Sequence, residues 1–305
     1  MRKWMTNLTW LAALAVLQPA ASGQTLRERF AARQAAEGGP AGYASPFTLP
    51  QGVVAERDVA YGDDPAQKLD VYRPSNAVAA PILFMAHGGG WKRGDKAAQG
   101  VVKNKVTYWS GKGYILVSVD YRVLPKARPL DQADDIAKAL AFVQAKAKAW
   151  GGDPSQMLLM GHSAGAHLVS LLTADPTIAT RAGAKPWLGT ISLDSAAFDV
   201  VEIMQRRHFD LYDDAFAKDP EVWRESSPTH RLKAKPGAPL LAVCSSRRRD
   251  ACPQAKAFAA KAEALGGRVV VLPVDMAHGE VNALLGLPGQ YTQSVADFMR
   301  SLGLP

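Results

Sequence analysis

Short apolar runs alternate with longer helix-like stretches along most of the chain. Residues 53–62 and 68–74 alternate apolar and polar side chains, which predicts two antiparallel strands. Six further runs are apolar at nearly every position; they are residues 81–88, 114–122, 156–163, 188–196, 238–246 and 268–275. Strands of that kind are typical of a parallel sheet with both faces covered.

Amphipathic stretches between these runs predict helices. Residues 129–152 begin at a proline, end at two glycines and place their apolar side chains on one stripe. Residues 253–267 and 291–302 follow the same pattern. The order of strand, helix and strand predicts a single α/β domain with a mainly parallel sheet, over residues 53–305.

One segment of this domain fits the pattern least well. Residues 199–237 are rich in charged, aromatic and methionine side chains and contain none of the strong strand runs. We interpret them as a cap-like excursion over the edge of the sheet, next to a functional site. The alternative is a plain long connection.

The beginning of the chain has a different character. Two basic residues precede a short apolar run, and small residues follow up to about Gly23. The run is short for a membrane span. We therefore expect a signal peptide at 1–23, an N-terminal arm at 24–52, and a secreted or periplasmic protein without a stable span after cleavage. The alternative is an uncleaved anchor.

The composition narrows the possible functions. The chain has 305 residues, 48% of them hydrophobic and 21% charged, so it is globular rather than disordered. Its net charge of +8 falls to +6 without Arg2 and Lys3. The sequence contains no long basic tract with interleaved aromatic residues, so nucleic acid is not an expected partner. The oligomeric state is not indicated by any of these features.

The candidate nucleophile is Ser163. It lies in Gly161-His162-Ser163-Ala164-Gly165, between an apolar run and a helix-like stretch. A GxSxG sequence between a strand and a helix forms a sharp turn that exposes the serine, and its glycines are needed because Cβ atoms there would collide with the backbone. The alternative is a small residue in an ordinary turn.

A second motif supports the catalytic interpretation. The sequence AHGGGW at 86–91 ends another apolar run and is an oxyanion-loop motif. Glycines let backbone N–H groups approach the negative oxygen of an acyl-transfer intermediate. We predict that the N–H groups of Gly89, Gly90 and Ala164 are the donors.

His278 is the candidate base. Among the six histidines it alone follows a late apolar run, where its ring reaches the serine. The candidate acid is Asp250, which follows the run at 238–246 and precedes His278, as the chain order of serine, acid and histidine requires. Asp194 is the competing acid, since it lies near the end of the preceding run. Asp250 also adjoins Arg247, Arg248 and Arg249, so a surface ion pair is its alternative role.

Two further sets of residues bear on the site. Cys244 and Cys252 flank Asp250, and their spacing in an exported chain predicts a disulfide, with buried free thiols as the alternative. A candidate substrate pocket is formed by aromatic and histidine side chains: Trp91, His162, Phe209 and Tyr212. No metal site is expected from two cysteines alone.

These motifs occur together in a known family. The chain resembles α/β-hydrolase-fold esterases, in particular the hormone-sensitive-lipase-like and bacterial feruloyl or acetyl esterase-like branches, which are related to kynurenine formamidases. The resemblance rests on residues 87–91, 118–125, 131–143, 151–167 and 276–280 and spans roughly 53–303. It implies an eight-stranded, mostly parallel sheet with helices on both faces, and two-step hydrolysis of small or short-acyl esters without metal or organic cofactor.

Two other functions are compatible with the same residues. An arylformamidase uses the same kind of triad on an N-formyl aromatic amine, although export argues against that role. A non-catalytic binding protein on a hydrolase scaffold is the second alternative, because fold alone does not establish function. Such proteins usually lose a triad residue or the oxyanion glycines, whereas Ser163, His278 and the glycines are present here.

Overall fold

The computed structural model describes residues 47–195 and 197–305. The signal peptide predicted at 1–23 and most of the arm predicted at 24–52 lie outside the described residues. Within the described part of the chain, no helix is both long enough and apolar enough to cross a bilayer.

An eight-stranded sheet forms the centre of the domain. Its strands are β1 (Val53–Ala60), β2 (Lys68–Pro74), β3 (Ala80–Ala86), β4 (Ile115–Val119), β5 (Gly152–His162), β6 (Gly189–Leu193), β7 (Leu240–Ser245) and β8 (Val269–Val274). Their order across the sheet is β1-β2-β4-β3-β5-β6-β7-β8. The β1–β2 and β2–β4 pairs are antiparallel and the remaining pairs are parallel, which confirms the mostly parallel sheet predicted from the sequence.

Helices occupy the connections between the strands. The α-helices are α1 (Gln99–Lys105), α2 (Pro129–Lys146), α3 (Ala164–Ala174), α4 (Thr177–Arg181), α5 (Val200–Met204), α6 (Asp210–Phe216), α7 (Pro220–Glu225), α8 (Pro228–Arg231), α9 (Ala251–Ala264), α10 (His278–Ala283) and α11 (Gln290–Arg300). A π-helical turn at Val106–Ser110 extends α1, and a 3₁₀ turn at Ala147–Trp150 extends α2.

The central strands are buried on both faces, which explains why they are apolar throughout, whereas the edge strands β1 and β8 are partly exposed. Along β3, Phe84 packs in a core with α2 and α3, whereas its neighbours Leu83 and Met85 pack in a second core with α1 and α11. Successive strand side chains point to opposite faces, so β3 contributes to both cores. All seven residues of β3 are buried.

The segment 199–237 contains four short helices, α5 to α8, and no strand. It contributes to the wall of a cleft at the carboxyl edge of the sheet through Ile203, Phe209, Leu211 and Tyr212. Phe216 anchors the segment, because its fully buried ring packs at 4.9 Å from the ring of Trp91, measured between centroids.

Candidate active site

Ser163, Asp194 and His278 meet at the carboxyl edge of the sheet. Ser163 follows β5 and Asp194 follows the adjacent strand β6. His278 is the first residue of α10, which follows β8. Parallel strands place their carboxyl ends at one edge, so residues distant in sequence come together there.

The turn around Ser163 has the sharpness predicted from its glycines. Ser163 has φ 55° and ψ −114°, a conformation that L-residues rarely adopt. A Cβ atom at Gly161 would lie 2.3 Å from the carbonyl oxygen of Gly165, and one at Gly165 would lie 2.3 Å from that of Ala86. Both positions therefore require glycine if the turn is to keep its shape.

The three side chains form a hydrogen-bonded chain. The Ser163 Oγ lies 2.9 Å from His278 Nε2, and His278 Nδ1 lies 2.5 Å from Asp194 Oδ2. His278 is 6% exposed and Asp194 is fully buried. An Nδ1–H that donates to the carboxylate leaves Nε2 as an acceptor for the serine proton.

Asp194 is held as a carboxylate by several donors. Its Oδ1 accepts a hydrogen bond from the backbone N–H of Ser245 at 2.8 Å, and its Oδ2 accepts one from Arg248 Nη1 at 2.8 Å. Burial alone would raise the pKa of Asp194, but the hydrogen bond from His278 and the charge of Arg248 outweigh it and hold that pKa well below its usual range.

The structure contradicts the predicted contact between Asp250 and His278. Asp250, predicted to hold the His278 ring, lies at the N-terminus of α9, and its carboxylate forms an ion pair with Arg206 at 3.0 Å. Asp194, the competing candidate, occupies the position at Nδ1 of His278. Asp194 directly follows β6, next to β5, whereas Asp250 is separated from the end of β7 by a loop and pairs with Arg206 of the cap-like segment.

The glycine loop after β3 lies directly against the serine. A Cβ atom at Gly88 would be 3.0 Å from the Cβ of Ser163. The loop is fixed by the hydroxyl of Tyr121, which donates to the carbonyl oxygen of His87 at 2.8 Å. The N–H groups of Gly89, Gly90 and Ala164 donate no hydrogen bond to a described residue, and all three residues line the cleft.

Two other histidines, one on each side of Ser163 in the sequence, have structural contacts. His162 Nε2 donates to the carbonyl oxygen of His278 at 3.0 Å, and the two rings lie 4.6 Å apart. Burial and the neighbouring His278 lower the pKa of His162 well below its usual range, so its ring is neutral. His167 accepts from Trp91 Nε1 and donates to the carbonyl oxygen of Ser226, and burial lowers its pKa to about 4.

A cleft of about 360 Å³ opens above Ser163. The four residues predicted for the pocket, Trp91, His162, Phe209 and Tyr212, all lie in its lining. They differ in exposure, since Phe209 is 42% exposed whereas Trp91 is 3% exposed and packs mainly into the core. The cleft is large enough for a small organic molecule.

The predicted Cys244–Cys252 disulfide is present, with the two Cα atoms 5.1 Å apart. It joins the end of β7 to the first turn of α9. The loop that it closes carries Arg247, Arg248 and Arg249 into the lining of the cleft. The cross-link therefore restricts the part of the chain from which Arg248 reaches Asp194.

A buried lysine supports the helix that begins with His278. The Nζ of Lys105 donates to the carbonyl oxygen of Asn282 at 2.6 Å and to its Oδ1 at 2.8 Å. Asn282 belongs to α10 and lines the cleft. Lys105 is 1% exposed, and this burial lowers its pKa to about 7.

We expect the Lys105→Met variant to show a different dependence of stability on pH. The folded pKa of Lys105 lies below its unfolded value, so the unfolded state binds more protons between the two values, and stability rises with pH above about 7. Between about pH 7 and about pH 9, the free energy of unfolding of the wild type should gain roughly 2 kcal/mol relative to the variant. Urea unfolding of both proteins at both pH values measures these free energies of unfolding. If the free energies of wild type and variant changed equally with pH, the prediction would be wrong.

Several residues of the site were not identified from the sequence. Gly88, Lys105 and the contact of Arg248 with Asp194 are the main ones. The sequence contains the arginine run 247–249, but the direction of its side chains depends on the disulfide loop and on α9. Among the described residues, no three histidine, cysteine, aspartate or glutamate side chains are arranged to hold a metal ion.

The sheet order and the serine at the sharp turn after β5 define an α/β-hydrolase fold. Solved esterases share this fold. Esterase B from Lactobacillus rhamnosis superposes with a TM-score of 0.70 at 21% identity, over 90% of this chain and 91% of that one. The thermophilic esterase Est2 from Thermogutta terrifontis superposes with a TM-score of 0.64 at 22% identity, over 84% of this chain and 95% of that one.

Sequence comparison agrees with the fold. The BD-FAE family model matches residues 69–185. Esterase LipC from Mycobacterium tuberculosis is 32% identical over 216 residues, 64% of this chain and 51% of LipC. The isoprenylcysteine alpha-carbonyl methylesterase ICME from Arabidopsis thaliana is 35% identical over 115 residues, 37% of this chain and 26% of that protein. The chain thus spans about half or less of these curated relatives. It has the α/β-hydrolase fold and is similar in sequence to these esterases.

Proposed function

We propose that this chain is a serine carboxylic-ester hydrolase with the catalytic triad Ser163, His278 and Asp194. The observation that carries the proposal is the hydrogen-bonded chain from Ser163 Oγ through His278 to Asp194, at 2.9 and 2.5 Å. The serine lies at the base of a cleft, next to a glycine loop with backbone donors. Nucleophile, base, orienting acid and oxyanion donors are the parts that acyl transfer requires.

The reaction proceeds in two steps. His278 Nε2 accepts the hydroxyl proton of Ser163 as Oγ attacks the ester carbonyl, and the N–H groups of Gly89, Gly90 and Ala164 stabilise the oxyanion. The protonated imidazole gives its proton to the departing alcohol, which leaves an acyl-serine. Water then attacks the acyl-serine with His278 again as the base, releasing the acid and restoring the serine.

Asp194 acts through His278. Its carboxylate fixes the ring with Nδ1–H toward Asp194 and stabilises the imidazolium that forms in each step. Its low pKa keeps it ionised throughout the neutral range. Asp250, paired with Arg206 away from the imidazole, has no part in proton transfer.

The location and the substrate class are also proposals. We propose that the protein is secreted or periplasmic, on the strength of the signal-like residues 1–23 and of the Cys244–Cys252 disulfide, which is typical of oxidising compartments. The cleft of about 360 Å³ favours small or short-acyl esters.

The test of the function is a comparison of an ester with a formamide. We expect the purified protein to hydrolyse 4-nitrophenyl acetate with a higher kcat/KM than N-formylkynurenine. Preference for the formamide would favour an arylformamidase. Failure to turn over either compound would favour a binding protein.

A further inference from the structure

Six arginines line the cleft above Ser163, and they come from three distant parts of the chain. They are Arg93 after the glycine loop, Arg206 and Arg207 after α5, and Arg247, Arg248 and Arg249 after β7. The described lining contains two aspartates, Asp95 and Asp250, and neither glutamate nor lysine. The lining therefore carries a surplus of positive charge.

Three of these arginines have carboxylate partners. Arg206 pairs with Glu202 at 3.2 Å and with Asp250 at 3.0 Å. Arg247 pairs with Asp275 at 2.7 Å, and Arg248 pairs with Asp194 at 2.8 Å. Their charges are largely balanced within the protein.

The other three arginines have no carboxylate partner among the described residues. Arg93, Arg207 and Arg249 are exposed, and no ion pair or side-chain hydrogen bond joins their guanidinium groups to residues 47–195 or 197–305. A lone exposed arginine is ordinarily just hydrated. Three unpaired guanidinium groups that converge from separate segments on one concave surface attract anions, since the cleft concentrates their field.

One wall of the cleft is apolar. Ile203, Leu211 and Tyr212 come from the cap-like segment, and Phe209 extends this surface with 42% of its own surface exposed. A ligand that fits both parts has an apolar body beside Ser163 and an ionised acid group at the arginines. Guanidinium groups bind carboxylates through paired hydrogen bonds.

We propose that the ester hydrolysed at Ser163 carries, in addition to its ester group, a free ionised acid group. Arg207 and Arg249 bind this group at the rim of the cleft. The inference rests on the proposed function, because it concerns the substrate of the same serine. The arginines remain outside the bond-breaking steps. They select and orient the substrate.

Matched ester pairs test the proposal. On the leaving-group side, 4-acetoxybenzoate is compared with the neutral 4-acetoxybenzamide; on the acyl side, monophenyl adipate is compared with phenyl 5-carbamoylpentanoate. In at least one pair, kcat/KM should be about tenfold higher for the anion, mainly through KM, since a charge-assisted contact at a partly exposed site supplies that much. The preference should fall as salt is added.

Variants assign the preference to the arginines. Arg207→Gln and Arg249→Gln should each lower the anion-to-amide ratio, because each substitution should lower kcat/KM of the anion more than that of the neutral ester. Arg181→Gln is the matched control, because Arg181 is exposed outside the cleft and its loss removes the same charge. Equal kcat/KM for anion and amide in both pairs, or an equal loss in the Arg181 variant, would overturn the proposal.

Binding to an inactive variant separates this proposal from the proposed function. Calorimetry with Ser163→Ala should give tighter binding of the anionic member of the pair, again weakened by Arg207→Gln or Arg249→Gln. If no ester is hydrolysed but this binding preference is present, the catalytic proposal fails and the anion site stands. If the neutral esters are hydrolysed and the anions are not preferred, the catalytic proposal stands and the anion site fails.

Discussion

Ser163→Ala should lower kcat for 4-nitrophenyl acetate by about 10⁴- to 10⁶-fold, because the variant has no nucleophile to form the acyl-enzyme. A fluorophosphonate probe should label the wild type and fail to label this variant, since the probe reports on an activated serine. Alanine keeps the positive φ strain at position 163 and removes only the hydroxyl. The melting temperature should therefore change little.

Ser170→Ala provides the control for this result. Ser170 lies on α3, the helix that Ser163 precedes, and it is buried and donates a hydrogen bond to the hydroxyl of Ser192, so its substitution tests the effect of losing a nearby buried serine. This variant should keep both the label and the activity. An unlabelled wild type, or labelling that survives in Ser163→Ala, would exclude Ser163 as the nucleophile.

Asp194→Asn should lower kcat by about 10⁴-fold, whereas Asp250→Asn should change it by less than about threefold. An amide at 194 no longer holds the Nδ1–H tautomer of His278 and cannot stabilise the imidazolium charge. Asp250 forms an ion pair with Arg206 in which both side chains are more than one third exposed, so its loss is a surface change. Steady-state kinetics on the two variants measure the contrast.

Circular dichroism checks that the Asp194→Asn and Asp250→Asn variants are folded. Asp194 also accepts hydrogen bonds from Ser245 and Arg248, so a lost fold would be a different cause of inactivity. The comparison is valid only at temperatures where both variants retain the wild-type spectrum. A larger loss of activity in Asp250→Asn than in Asp194→Asn would show that Asp250 is the triad acid.

The central strands were predictable because they are buried on both faces and therefore apolar throughout, whereas β1, at the edge of the sheet, was predictable from its alternation of apolar and polar side chains. The short helices α5 to α8 were not predicted individually, since helices of four to seven residues are too short to give a periodic pattern. The fold class needed only the order of strands and helices. The path of the cap-like segment depends on tertiary packing, such as that of Phe216 against Trp91.

The site was predictable where local geometry requires particular residues. Ser163 was identified because its turn needs the glycines at 161 and 165, and His278 because it follows the last strand. The acid has no such local signal: Asp194 and Asp250 each follow a strand, and the choice depends on sheet order and loop path. Asp194 follows the strand next to β5, and that adjacency is a property of the folded sheet.

The disulfide has a consequence for the entropy of ligand binding. The loop between Cys244 and Cys252 carries Arg249, and without the cross-link this loop would sample more conformations. The disulfide restricts the loop before any ligand binds. An anion that binds to Arg249, as proposed, therefore does not have to order a mobile loop, and its binding carries a smaller entropic penalty. By the same linkage, anions that occupy the rim should raise the melting temperature of the oxidised protein.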